Sequence, residues 1–347
     1  IFIINIPLSL LSLLLIKLFV ADETPVKQKY NKKFDIVGYT SIVIAMGCMQ
    51  VVLDKGQQYN WFDETWICWT TGVCIFSFVF FYVWELEYKY PVIDIRVFKD
   101  RNFLFGTVAS SFINIILYST LLLVPMFVQS LIGYSPSMSG LTMFPRAVVC
   151  LIGLIVVGEV SKYVNQKLLS SIGFIVMACA LLMLTQMNPT SSMESIILPN
   201  ILLCIGVPIA FVPITALSFQ TLPASKNADA ASLHALFKNI LTAVSTSASS
   251  TFIARVSQVY QNYYVANLAP HNPLFLIKFN AFKHKMMTYY PAVVASKKAN
   301  GLLYKQLLAQ ARLGAFFDIF TLMALLSLSA ILIILLLKNK QKRSANN

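Results

Sequence analysis

Nine stretches of this chain are long and apolar enough to cross a lipid bilayer, and they occupy 1–20, 36–53, 67–84, 103–128, 138–158, 168–186, 196–217, 233–256 and 315–337. A helix rises about 1.5 Å per residue, so about 20 apolar residues span a hydrocarbon core of about 30 Å. Within that core every backbone N–H and C=O has to be paired inside the protein, which leaves helices as the answer for runs of this kind. The sequence therefore predicts an all-α polytopic membrane protein of about nine transmembrane helices. Composition agrees, since 57% of the 347 residues are hydrophobic and 12% are charged, against roughly 25% charged in soluble domains.

The net charge of +13 raises the question of nucleic acid, but a nucleic-acid binder gathers its basic residues on one soluble face. Here they lie between apolar runs, and the partner they imply is the lipid bilayer. All six cysteines sit inside the runs with no CxxC pair, so they read as small apolar residues rather than a disulfide or metal framework. The chain opens at Ile1 directly in an apolar run, without a charged leader or small-residue cleavage site. That opening does not read as a signal peptide, and it predicts a fragment.

Orientation follows from the lysines and arginines of the short loops. Lys27, Lys29, Lys32, Lys33, Lys89, Arg96, Lys99, Arg101, Lys162, Lys167, Lys226, Lys338, Lys340, Lys342 and Arg343 follow alternate runs, whereas the intervening short loops hold only Lys55. The richer side is expected in the cytoplasm, together with the C-terminus. The connection 257–314 carries seven basic residues on the outer side, but loops near 60 residues translocate largely regardless of charge. Trp61, Trp66 and Trp69 near one end of the third run, and Trp84 at its other end, fit an aromatic belt. Within the outer connection, 301–314 reads as a short amphipathic helix lying on the membrane surface or packed on the loop.

The motifs that support nucleotide or hydrolytic chemistry are missing: there is no GxxxxGK[ST], HExxH or GxSxG, and His234, His271 and His284 are scattered. No catalytic residue, cofactor or metal site is predicted, which argues against an ATP-driven pump or an intramembrane hydrolase. Polar residues inside the runs are the functional candidates, because each is costly in hydrocarbon. Arg146 lies about eight residues, roughly 12 Å, inside its helix, where a charge costs about 2.5 to 3.5 kcal/mol. It is expected to face a partner or a wet cavity, with pairing to carbonyls freed near Pro145 as the structural alternative. Asn114 and Tyr118, four apart, share a face suited to an amphipathic ligand or to an interhelical hydrogen bond. Lys238 is close enough to its helix end to snorkel. Glu159 and Asp318 are expected at the interfaces, Asp318 in a first helical turn.

Several segments, taken in order, resemble the fourteen-span drug/proton antiporters of the major facilitator superfamily, the EmrB/QacA type. They are IFIINIPLSL, Asp35-Ile36-Val37-Gly38 with LDKGQQYNW, PVIDIRVFKDRNF, LLLVPMFVQSLIGYSPSMSGLTMFPR and SLHALFKNILTAVSTS. Two departures are Ala147-Val148-Val149 where that family has glycines, and Lys238 where it has an arginine. The resemblance implies a major-facilitator helical bundle in which 1–20 is the last span of the N-terminal bundle. It makes 21–102 two middle spans with cytoplasmic linkers, 103–337 a six-span C-terminal bundle with the outer loop 257–314, and 338–347 a basic cytoplasmic tail. It implies a multi-pass protein of the cytoplasmic membrane that exports amphipathic compounds in exchange for protons, with Arg146, Asn114, Tyr118 and Lys238 as substrate or coupling residues. The partners implied are the N-terminal half and, in a Gram-negative host, a periplasmic adaptor protein. An importer or exchanger on the same fold, and a truncated remnant that does not transport, stay open at this point.

Overall fold

The structure, a computed structural model, describes residues 3, 5–19, 35–88, 91–266 and 273–337. The basic residues Lys27, Lys29, Lys32, Lys33 and Lys89, His271, and the tail 338–347 lie outside the described residues. Those described form helices α1 (Asn5–Phe19), α2 (Ile36–Lys55), α3 (Thr65–Glu87), α4 (Arg101–Phe127), α5 (Pro136–Val160), α6 (Gln166–Leu184), α7 (Met193–Phe219), α8 (Asn227–Val265), α9 (Pro273–Met287) and α10 (Ala292–Leu336). No strand occurs among them.

The helix starts are written in the sequence. The side chains of Asp35, Asp100, Ser135, Asn165 and Ser192 each accept from a backbone N–H in the first turn that follows, as N-caps do. Pro136 then occupies the first helical position of α5, where its missing N–H costs nothing. Between α4 and α5, a π-turn over Val128–Ile132 ends at Gly133, whose φ of +86° is open to glycine.

Among the described residues, seven helices are long and apolar enough to span a bilayer: α2, α3, α4 with its π-turn, α5, α6, α7 and α10. That is fewer than the nine runs of the sequence. Helix α1 is apolar but is described over 15 residues, fewer than a crossing needs. Helix α8 is long, but small and polar residues such as Ser245, Ser247, Ser249 and Ser250 dilute its hydropathy.

Helices α4, α5, α6, α7, α8 and α10 pack into one bundle, with α7 against α4, α5 and α6, and α10 against α4, α6 and α8. Helix α7 is apolar all round and more than half buried, as a central helix should be. Lipid tails give apolar side chains no reason to leave them, so close backbone approach through small residues holds such helices together. At the α6–α7 crossing, a Cβ on Gly173 would stand 2.8 Å from Ala210 Cα, and one on Gly206 would stand 2.9 Å from the Gly173 carbonyl. Helices α2 and α3 form a hairpin that reaches the bundle through α8. Every residue of α1 is exposed.

The connection 257–314 differs from its sequence reading. Instead of a separate helix lying on the membrane, 301–314 belongs to α10, which runs unbroken for 45 residues, about 67 Å and so roughly twice the hydrocarbon thickness. Ala295, Ala299, Leu303, Leu307 and Ala311 are buried at a spacing of four, so α10 continues as a packed stalk against α8 and α9. Asp318 consequently lies deep within α10 rather than in a first turn, and it accepts a hydrogen bond from Tyr260 Oη at 2.9 Å. A helix dipole is not what holds it. Glu159, by contrast, is exposed and pairs with Lys162 at 2.7 Å.

Candidate functional site

Helix α5 turns its polar side inward. Its buried residues are Ser139, Thr142, Arg146 and Val157, while Leu151, Ile152, Leu154, Ile155 and Val156 are exposed. The first three are spaced i, i+3 and i+7 and so form one stripe. Near the N-terminus of α5, Gln129 Nε2 donates to Ser139 Oγ at 3.2 Å. Further along the stripe Arg146, 3% exposed, reaches two other helices through its guanidinium. Nη2 donates to Thr120 Oγ1 at 3.0 Å and to the Leu117 carbonyl at 3.3 Å, both on α4. Nη1 lies 3.5 Å from Asn200 Oδ1 on α7.

All three acceptors are neutral, and among the described residues no carboxylate lies within ion-pair distance of Arg146. A buried cation held only by dipoles keeps its field, and an anion or a second charge approaching it is strongly affected. The two side-chain partners also bond within their own helices, Thr120 Oγ1 to the Ile116 carbonyl and Asn200 Nδ2 to the Ile196 carbonyl. The arginine is thus bound by groups that do not depend on it.

The other three sequence candidates gather elsewhere. Asn114 is buried, and its amide donates to the Ser110 carbonyl of the same helix at 2.9 Å. Ser110 Oγ meets His234 Nε2 of α8 at 2.9 Å, and His234 stands one turn from the half-buried Lys238. Between the two helices lies a cavity of about 430 Å³ lined by Phe98, Thr107, Ser111, Phe112, Phe237 and Leu241, among others. On α4 the positions 107, 111, 114 and 118 share a side, as do 234, 237, 238 and 241 on α8. Asn114, Tyr118 and Lys238 occupy these helix sides but are not among the residues that line the cavity. Arg146 lies apart from them, because its hydrogen bonds go to Leu117 and Thr120, and position 120 is half a turn away from 111.

Sequence reasoning did not single out Thr120, Asn200 or the His234–Ser110 pair. Asn200 carried a signal, being an amide inside the apolar run 196–217. His234 was weighed only for metal or catalytic chemistry, and its serine partner lies 124 residues away.

The model of the Major Facilitator Superfamily matches residues 1–246. The chain belongs to this family. Among curated relatives, the probable multidrug resistance protein EmrY of Escherichia coli K12 is 29% identical over 295 residues, covering 84% of this chain and 56% of the relative. The multidrug export protein EmrB of Haemophilus influenzae is 26% identical over 337 residues, 96% of this chain and 64% of that protein. The fatty acid resistance protein FarB of Neisseria gonorrhoeae is 26% identical over 238 residues, 69% of this chain and 47% of the relative. This facilitator chain thus spans about half to two thirds of the length of these relatives. In fold it is similar to the crystal structure of a bacterial homolog of the human lysosomal transporter Spinster, with a TM-score of 0.51 at 14% identity, covering 86% of this chain and 64% of that one.

Proposed function

We propose that this chain supplies one bundle of a proton-coupled exporter of amphipathic compounds. The observation that carries the reading is the agreement between the family match over 1–246 and relatives described as multidrug export and resistance proteins. The α4–α8 groove fits the chemistry. Its aromatic and aliphatic walls accept an apolar body, while Ser111 and Thr107 on its wall, with Asn114, Tyr118 and Lys238 on the same helical faces, offer a polar end. In alternating access the site lies near the midplane where two repeats meet, so the groove is where the N-terminal half would close it. Arg146, fixed on the far side of α4, serves as a coupling charge that the groove senses through that helix.

Helices α1 and α8 complete nine spans in this proposal, α1 by lengthening to 1–20 and α8 by packing its serines inside the bundle. The division is 1–20, 21–102, 103–337 and 338–347, with the C-terminus in the cytoplasm of a multi-pass inner-membrane protein. In a Gram-negative host, the stalk of α8, α9 and α10 is the surface for a periplasmic adaptor. Val259, Tyr263, Tyr289 and Val293 are exposed there.

Two measurements test this. Cells expressing the full-length protein should retain less of a fluorescent lipophilic cation than control cells, and a protonophore should erase the difference. Equal retention would reject export. For orientation, single cysteines at Asn60 and Ser192 should react with an impermeant thiol reagent from outside, and those at Asn31 and Asn165 should not. The opposite pattern would invert the topology.

A further inference from the structure

The α2–α3 hairpin buries two carboxylates at one end. Asp35 is 4% exposed and Glu85 is 2% exposed. A Cβ on Gly38 would stand 2.5 Å from Asp35 Oδ2 and 3.0 Å from Glu85 Oε1, so both side chains converge on the space that the glycine leaves open. Their surroundings are unequal. Asp35 accepts from the Gly38 N–H at 2.9 Å and from the Trp84 indole N–H at 3.1 and 3.0 Å on its two oxygens. No hydrogen bond of standard geometry reaches either oxygen of Glu85, although the backbone groups of Ile93 and Val92 stand close enough to favour its charged form. The nearest groups facing it from the linker are the backbone of Val92 and Ile93 and the carboxylate of Asp94, and Asp94 is itself paired with Lys226 at 3.3 Å. The nearby cation, Arg96, is engaged by the Leu86 carbonyl at 2.9 Å.

Donors favour the charged form of a carboxyl group; burial without donors, next to a like charge, favours the neutral one. For Glu85 burial is the largest influence, reinforced by the neighbouring Asp35 and opposed by the backbone of Ile93 and Val92. We infer that Asp35 and Glu85 form a proton-binding site in which they hold one proton between them, Glu85 as the neutral acid and Asp35 as the carboxylate that accepts from it. The ligand is a proton drawn from water at the membrane surface. Its loss leaves two buried anions around Gly38, and among the described residues no cation pairs with either. The repulsion acts on the contact between α2 and α3 and, through Arg96 and the Asp94–Lys226 pair, on the segment that leads into α8. The hairpin is therefore a pH-responsive latch, and this holds whatever compound the protein carries.

Infrared pH-difference spectroscopy of the whole chain in lipid vesicles reads the proton directly. Between about pH 6 and about pH 8, the wild type should show the carbonyl stretch of a buried neutral carboxylic acid, lost on alkalinisation. Glu85→Gln should lose that band. Trp84→Phe, which removes the indole donor from Asp35 and leaves both carboxyls in place, should retain it and move its loss upward by about one pH unit. Absence of the band in the wild type would overturn the inference even if Glu85→Gln failed to fold. So would its persistence in Glu85→Gln, an unmoved transition in Trp84→Phe, or a band that follows sodium or magnesium at constant pH, which would make the pair a metal-cation site.

Discussion

Replacing Arg146 with alanine is expected to lower transport by the full-length protein at least tenfold while leaving its abundance in the membrane near normal. A tenfold loss corresponds to about 1.4 kcal/mol in the barrier, modest beside the cost of holding a charge in hydrocarbon. Abundance should survive because Thr120 and Asn200 keep their bonds to the carbonyls of Ile116 and Ile196. Removing a cation that has no buried anion also leaves no orphaned charge behind. Arg146→Lys separates two contributions. It keeps the charge but loses the planar fork that reaches Leu117, Thr120 and Asn200 together, so partial transport is expected. Flux measured per molecule of membrane protein checks this. A degraded Arg146→Ala protein would make the residue a three-helix staple and nothing more, and unchanged flux would remove it from the mechanism.

Gly173→Leu should be among the most disruptive single changes in the bundle. A side chain there meets the backbone of α7 rather than a movable side chain, with Ala210 Cα and the Ile209 carbonyl carbon each 2.8 Å from the Cβ position. Forcing methylenes into a packed contact costs about 1 to 3 kcal/mol in ordinary cores, and helices in lipid depend on such close approach. Abundance should fall several-fold, with a lower thermal aggregation temperature in detergent. Gly158→Leu is the matched control, because nothing lies within 4 Å of a Cβ at that position. Equal behaviour of the two variants would contradict the packing described for α6 and α7.

Much of the bundle was legible because hydropathy and helix caps are local properties. The seven spanning helices coincide with apolar runs, and Asp100, Ser135 and Ser192 stand where helices begin. The stalk escaped that reading for a physical reason. A hydropathy criterion ends where Arg312 and Lys305 appear, but the helix continues there, since alanine, leucine, lysine and glutamine are all good helix formers. The four-residue stripe from Ala295 to Ala311 was available as a sign of packing.

The candidate site divides along the same line. That Arg146 sits deep in its helix follows from counting residues, whereas its partners come from helices 26 and 54 residues away along the chain. The pairing of Trp84 with Asp35 spans 49 residues. Sequence placed Trp84 in an interfacial belt, and the structure adds that its indole N–H is occupied by a carboxylate. Asn114 and Tyr118 share a face by spacing alone, but only packing against α8 shows that Thr107 and Ser111 of α4 line a cavity with Phe237 and Leu241.

The most direct measurement is flux into proteoliposomes that contain the purified full-length protein, with an acidic lumen and a lipophilic cation outside. An antiporter should carry the cation inward as protons leave, stop when an ionophore collapses the pH difference, and slow at least tenfold with Arg146→Ala. Flux that is indifferent to the pH difference, or cation uptake equal to that of protein-free vesicles, would contradict proton-coupled export.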